Sequence, residues 1–308
     1  ISVLGFCLNL LLLCLINAYS KPHLGNYRNL LKLFACNDIL LITLHGIVQP
    51  GSFSTGSAIG LFSKVFPDNK YPIYLCCSSF TIPFTLMNIN FLHRYWSVKS
   101  PHRVAIFSKP CFCAALSLYP LAVASTWMTF CLCVGDDPIG RAVIQPAYLQ
   151  ATGERSMGRG WLLICVRDRD GHWNTETVIL TAIESSIHLA NVVIACVLCS
   201  LTIWELRLAK TFSASYRSMQ VKVLRALFAQ SLVPILFVLV PYILAVLLRF
   251  RPNDSNEGHF DLWCPLASCF PVWDAIVIMA LMRDYRQGMI SGVKKAILCL
   301  FLTIEGPE

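Results

Sequence analysis

Seven stretches of this chain are each long and apolar enough to cross a lipid bilayer, and that count limits the possible folds more than any other feature. They cover about 1–19, 29–50, 72–95, 111–134, 177–204, 220–248 and 262–282. A hydrocarbon core about 30 Å thick takes about 20 mostly apolar residues as a helix. The expected fold is an all-α membrane protein: a seven-transmembrane helix bundle over 1–283, then a cytoplasmic tail over 284–308. Composition agrees, with 56% hydrophobic and only 14% charged residues, against about 25% charged in soluble domains. The first stretch has no initiator Met, so the chain is expected to lack its natural start. Read as a signal peptide it would need basic residues before the apolar run; here Lys21, Arg28 and Lys32 follow it.

The basic residues set the expected orientation. The first, third and fifth connections and the tail hold sixteen Lys and Arg; the other connections hold nine. Basic residues concentrate on the cytoplasmic side, so the N-terminus is expected outside and the tail inside. The net charge of +8 is then an inner collar facing anionic lipid and cytosolic partners, not a nucleic-acid signal. The sequon Asn253-Asp254-Ser255 falls in a predicted outer connection, which makes Asn253 a candidate glycosylation site.

The longest outer connection, about 135–176, is Gly- and charge-rich and reads as a loop, not a domain. No fixed period suggests a repeat architecture. In the tail, Met289, Val293, Ile297 and Leu300 recur at helical spacing with Arg286, Lys294 and Lys295 elsewhere. That pattern predicts a short amphipathic helix on the inner membrane face. Of fifteen cysteines, most lie inside apolar stretches, where a free thiol is a small hydrophobe. Only Cys165, Cys264 and Cys269, with Cys76, Cys77 and Cys133 near outer span ends, would meet an oxidising compartment. Cys299, near the inner face, is a position for palmitoylation or a plain thiol.

Polar groups inside a membrane are costly, and by default they mark functional sites. Asp38, Asp274 and Asn9 lie ten to twelve residues from the inner ends of their spans. That places them roughly 15–18 Å above the inner boundary, near the midplane. Two carboxylates and an amide at one level suit a shared cation, proton or waters; the alternative is a hydrogen-bonded packing node. In the fifth span Glu184, His188 and Asn191 stand at i, i+4 and i+7 and share one helix face, flanked by Thr181 and Ser185. In the outer half of a span such a stripe faces a ligand pocket or hydrogen-bonds neighbouring helices. Ser78, Ser79 and Thr81 of the third span and Trp263 and Trp273 of the seventh are candidate walls. Pro83, Pro120, Pro234, Pro241 and Pro271 each remove a backbone hydrogen bond and tend to kink their helices.

Enzyme readings fail on their residues. The chain has no HExxH pair, no G-x-S-x-G and no Walker sequence. A transporter would be expected to show paired halves or interrupted helices. A ligand-gated channel would line a continuous polar path, yet polar groups thin out between the midplane and Arg94. A retinal protein would need a Lys in the seventh span, and none lies between Trp263 and Met289.

Four stretches carry a family resemblance: Gly5 with Asn9, "HLGNYRNLLKLFACNDILL", "NFLHRYW" and "FPVWDAIVIMALMRDYRQGM". Together the chain resembles the nematode seven-transmembrane chemoreceptors of the serpentine Str class. The resemblance implies a G-protein-coupled receptor in the plasma membrane of sensory cells. Its implied partners are a small, odorant-like environmental molecule and a heterotrimeric G protein, with no cofactor and no metal. It also implies that Arg94 and Tyr95, with His93 beside them, face the G protein. Asp38, Asp274 and Tyr285, with Arg286, would form the interior switch. His93 stands where rhodopsin-like receptors carry an acid, and Asp274 stands where they carry an Asn-Pro step. Cys76 lies eighteen residues before Arg94, roughly 27 Å along a helix, which speaks against the usual outer disulfide. From position alone, Arg94 marks the inner end of span three and either snorkels to the headgroups or presents its planar fork to a partner; the resemblance favours the fork.

Overall fold

The computed structural model describes residues 1–20, 27–135, 137–154, 157–208, 213–250 and 258–291. Asn253 and most of the expected tail helix lie outside the described residues; after Met282, residues 283–291 are helical.

Among the described residues, seven helical spans are long and apolar enough to cross a membrane: Ser2–Tyr19, Tyr27–Val48, Tyr71–Lys99, Pro110–Val134, Thr175–Leu208, Tyr216–Arg249 and Trp263–Leu281. We number them as spans 1–7. Span 1 is α1 and span 2 is α2. Span 3 is α3 (Tyr71–Ser79) and α4 (Ile82–Lys99), and span 4 is α5 (Pro110–Val134). Span 5 is α7 (Thr175–Leu208). Span 6 comprises α8 (Ala214–Pro234), a π-helical segment and α9 (Val240–Arg249). Span 7 is α10 (Trp263–Leu281). Span 3 is the most buried and packs on spans 2, 4, 5 and 6, while span 1 packs on spans 2 and 7. The apolar periphery is broad, with large side chains such as Leu118, Leu189 and Trp204 more than half exposed. A bilayer covers such surface at no hydrophobic cost.

The structure extends the expected spans at one end. Span 3 continues to Lys99, so His93 and Arg94 lie a turn or more inside the helix instead of at its boundary, and both are buried. Arg94 therefore does not snorkel. Span 5 runs 34 residues, about 50 Å at 1.5 Å per residue, well beyond the hydrocarbon core.

The larger departure lies at the end of the bundle where α1 begins. The long connection after span 4 is not a plain loop: it forms α6 (Pro138–Thr152) and β3 (Trp161–Cys165). With β1 (Pro50–Ser54), β2 (Ala58–Ser63) and β4 (His259–Phe260), β3 makes an antiparallel sheet in the order β3-β2-β1-β4. The sheet and α6 enclose a small core of their own. Phe62 stacks on Trp161 at 4.3 Å, and Phe53 and Trp161 both meet Tyr148 edge-on. Gly60 allows that packing, since a Cβ there would sit 2.6 Å from the Trp161 ring. Asp137 caps α6 by accepting from the Ile139 N–H at 3.0 Å, and Gly153, at φ +70°, ends it in the left-handed region that glycine adopts without penalty. The cap is tied down by buried Arg249 of α9, which donates to the Thr55 carbonyl, and by Ser54 donating to Asp261. Burial pushes the Cys165 thiol up to about 12; like the other described cysteines, it is free.

Candidate functional site

Two of the five prolines, Pro83 and Pro241, follow breaks in their helices, and both breaks border one cavity. Pro83 lacks the N–H that would continue span 3. The chain breaks at Phe80–Thr81 between α3 and α4, and the Thr81 hydroxyl donates to the Ser78 carbonyl at 2.8 Å. In span 6 the π-helical segment Ile235–Leu239, the form a helix takes when one residue too many must fit a turn, lies just before Pro241, which has no N–H to offer the Phe237 carbonyl. Pro120, Pro234 and Pro271 sit inside α-helices.

The cavity between these breaks measures about 50 Å³. That exceeds the roughly 10–15 Å³ one water needs and is far below the roughly 300 Å³ of a drug-sized pocket. Its wall is almost wholly apolar, built on Phe80, Phe84, Trp127, Tyr242 and Trp263, with His45, His188, Cys76, Cys77 and Cys264 at its edges. The His188 ring packs between Phe84 and Trp127, at 5.7 and 5.3 Å. Behind it Glu184 lies 3.8 Å from Nε2 and accepts from the Thr126 hydroxyl at 3.3 Å. His45 reaches the Cys264 carbonyl at 3.3 Å. Pro50, at the start of β1, also touches the cavity, which therefore opens beneath the cap.

Not every residue singled out from the sequence reaches this cavity. His188, Thr81 and Trp263 line it. Glu184 is one layer back, and Thr181 is buried one turn nearer the cap, with no partner for its hydroxyl among the described residues. The hydroxyls of Ser78 and Ser79 turn back to the Leu75 carbonyl at 3.0 and 2.7 Å. Trp273 faces outward, 47% exposed, stacked on Phe237. Asn191 lies deeper, where Asn88 of span 3 and Tyr119 of span 4 both donate to its Oδ1. That node joins three spans by hydrogen bonds, the packing alternative rather than a cavity wall.

Below the node lies the midplane pair. The carboxyl groups of Asp38 and Asp274 lie side by side, with 0% and 1% exposure. Gln230 of span 6 donates to Asp274 at 3.1 Å, whereas no described donor forms a good hydrogen bond to Asp38. Asn9 is not the third member. Its amide bridges the Gly5 and Pro271 carbonyls at 3.0 and 2.9 Å, holding span 1 to span 7.

At the basic end the Arg94 guanidinium stacks 3.9 Å over the Tyr27 ring of span 2 and donates to Gln220 of span 6 at 3.4 Å. Its Nε and Nη2 have no described partner. His93 and Trp96 pack on Phe107 of the 3₁₀ connection Pro101–Ser108. Lys99 sits over the Tyr95 ring. Tyr285 is fully buried and its hydroxyl meets Ser20 at 3.0 Å, while Arg286 is exposed and donates to the Ala280 carbonyl.

Sequence reasoning passed over Asn88 and Asn90, both buried. The rule that polar groups inside a span are informative would have found them. It also passed over Trp127, Tyr242 and Phe84, which carry no such mark because an aromatic wall and an aromatic core read alike.

Comparison with known proteins agrees with this architecture. The family model described as serpentine type 7TM GPCR chemoreceptor Str matches residues 1–290. The protein called "Serpentine receptor class r-10" in Caenorhabditis briggsae is 21% identical over 297 residues, covering 92% of this chain and 85% of its own. Its namesake in Caenorhabditis elegans is 20% identical over 303 residues, covering 94% and 87%. A match across the seven spans and the segment following them places the chain as a multi-pass membrane protein of the serpentine Str family of seven-transmembrane, G-protein-coupled-type chemoreceptors.

Proposed function

We propose that this chain is a chemosensory receptor of a sensory-cell plasma membrane. It takes a small environmental molecule from outside into the cavity beneath the cap and activates a heterotrimeric G protein at its basic, cytosolic end. The observation that carries this reading is the cavity itself, bordered by the only two helix interruptions that prolines make in spans 3 and 6 among the described residues. A ligand shifts a conformational equilibrium only by binding one state better than the other. Segments already broken before Pro83 and Pro241 can change pitch at small cost, so contact with Phe84 or Tyr242 differs between states. His188, backed by Glu184, supplies the polar contact; the small volume and apolar wall favour a compact, mostly apolar ligand. Spans 3 and 6, which border the cavity, also hold Arg94 and Gln220. Parting of these spans at the basic end would release the Arg94 fork to a carbonyl or carboxylate of the G protein, with Tyr95, Tyr285 and Arg286 around the opening.

A screen of small volatile and water-soluble compounds on the full-length chain, read by second messenger, tests the function. Responses that need a G protein support it, and ligand-gated currents in cells lacking G proteins would replace it with a channel. The orientation follows from the sixteen-to-nine basic asymmetry. A C-terminal tag is expected to react with antibody only after permeabilisation, and Asn253→Gln is expected to remove a glycan shift. Labelling of the tag on intact cells would reverse the topology.

A further inference from the structure

A second cavity, of about 500 Å³, opens on the flank of the bundle between α7 and α8 at the basic end. Its floor is apolar: Leu206 and Leu224 are buried there, and Ile203 and Phe228 stand at its rim, 39% and 50% exposed. Three arginines line it, Arg207 in the last turn of α7 and Arg217 and Arg225 on α8. Neither Arg207 nor Arg225 makes an ion pair or hydrogen bond among the described residues. The acid nearest Arg207 in sequence, Glu205, is engaged by Lys99 at 2.9 Å, and α8 carries no acid at all. Arg225 lies two turns, about 12 Å, beyond Arg217 toward the membrane interior. An arginine at such depth needs an anion or a wet cavity.

We propose that this groove binds one anionic phospholipid from the surrounding leaflet. The phosphate and its anionic headgroup lie between Arg207 and Arg225, with Arg217 at the mouth. One acyl chain lies along Ile203, Val221 and Phe228 toward Cys199. Cys199 is eight residues, about 12 Å, from Arg207, which sets the length of groove available to that chain. Guanidinium forks suit phosphate by geometry as well as charge, and an apolar floor beside them distinguishes a lipid from a free phosphate ion. The site is independent of the receptor reading, since it needs only that the chain spans a bilayer.

Native mass spectrometry of the full-length chain in detergent, titrated with phosphatidylserine and with phosphatidylcholine of the same acyl chains, tests this. The chain is expected to retain phosphatidylserine at concentrations about tenfold lower. Arg207→Gln with Arg225→Gln is expected to abolish that preference, and Arg103→Gln with Arg283→Gln, exposed at the same end, to leave it intact. Val221→Trp, which fills the groove and keeps every charge, is expected to weaken retention of phosphatidylserine as well. Equal binding of the two lipids would overturn the site. So would loss of preference in the Arg103/Arg283 pair, unchanged retention in Val221→Trp, or displacement of the lipid by millimolar inorganic phosphate.

Discussion

Arg94→Lys is expected to reach the cell surface and to respond to ligand with an unchanged midpoint, yet to drive nucleotide exchange on its G protein at least about tenfold more slowly. A lysine keeps the charge. It cannot keep the planar stack at 3.9 Å on Tyr27 or offer a fork to Gln220, and on the proposed mechanism that same fork meets the G protein once spans 3 and 6 part. Cation–π contacts of this kind are worth about 0.5–2 kcal/mol, so losing the stack alone loosens the resting bundle and raises basal exchange slightly. Loss of the partner contact lowers stimulated exchange. The combination separates the two roles. Normal stimulated exchange at matched surface expression would leave Arg94 as a clamp between spans 2, 3 and 6 and nothing more.

The second large effect is expected at the midplane. Asp38→Asn and Asp274→Asn each remove one side of the same buried carboxyl contact. Each single change is therefore expected to shift basal signalling in the same direction, and the double variant to add little. The expected coupling is about 0.5–3 kcal/mol, the range for residues in direct contact. Gln230→Leu, which removes the amide that donates to Asp274, is expected to shift signalling in Asp38→Asn less than in the unaltered chain. Additivity of the two Asn changes within about 0.5 kcal/mol would mean that the two acids act separately.

These expectations show what the sequence could and could not carry. The spans were legible because a bilayer imposes one length and one composition on every helix that crosses it. The pairing of Asp38 with Asp274 was legible from residue counts, since helical rise turns sequence distance into depth. Depth says nothing of azimuth, and that is why Asn9 came out as a clamp to Pro271 and Trp273 as an outward-facing ring. Asn191 shares a helix face with His188, but one turn separates a cavity wall from a three-span node. The cap was hidden for a different reason. "PGSFS" and "AIGLFS" are short and rich in Gly and Ser, and β4 has only two residues. Its strands come from three separate connections, with Phe53 paired to Phe260, so no local window contains the sheet. "WLLIC" was the one readable strand signal in the long connection. The cavity was hidden by its own chemistry, because five aromatic rings around a void and five around a packed core have the same sequence.

On the proposed function, ligand enters that cavity. Ala267 lies on its wall and is 5% exposed, and Ala267→Leu would fill much of the void at an overpacking cost of about 1–3 kcal/mol. The decisive measurement is ligand-stimulated nucleotide exchange by the full-length chain reconstituted with a G protein, compared between the unaltered chain and Ala267→Leu at equal amounts of folded protein. The variant is expected to keep its basal exchange and to respond to ligand with the midpoint raised about tenfold or more. An unchanged midpoint in Ala267→Leu would place the ligand elsewhere and contradict the proposed function.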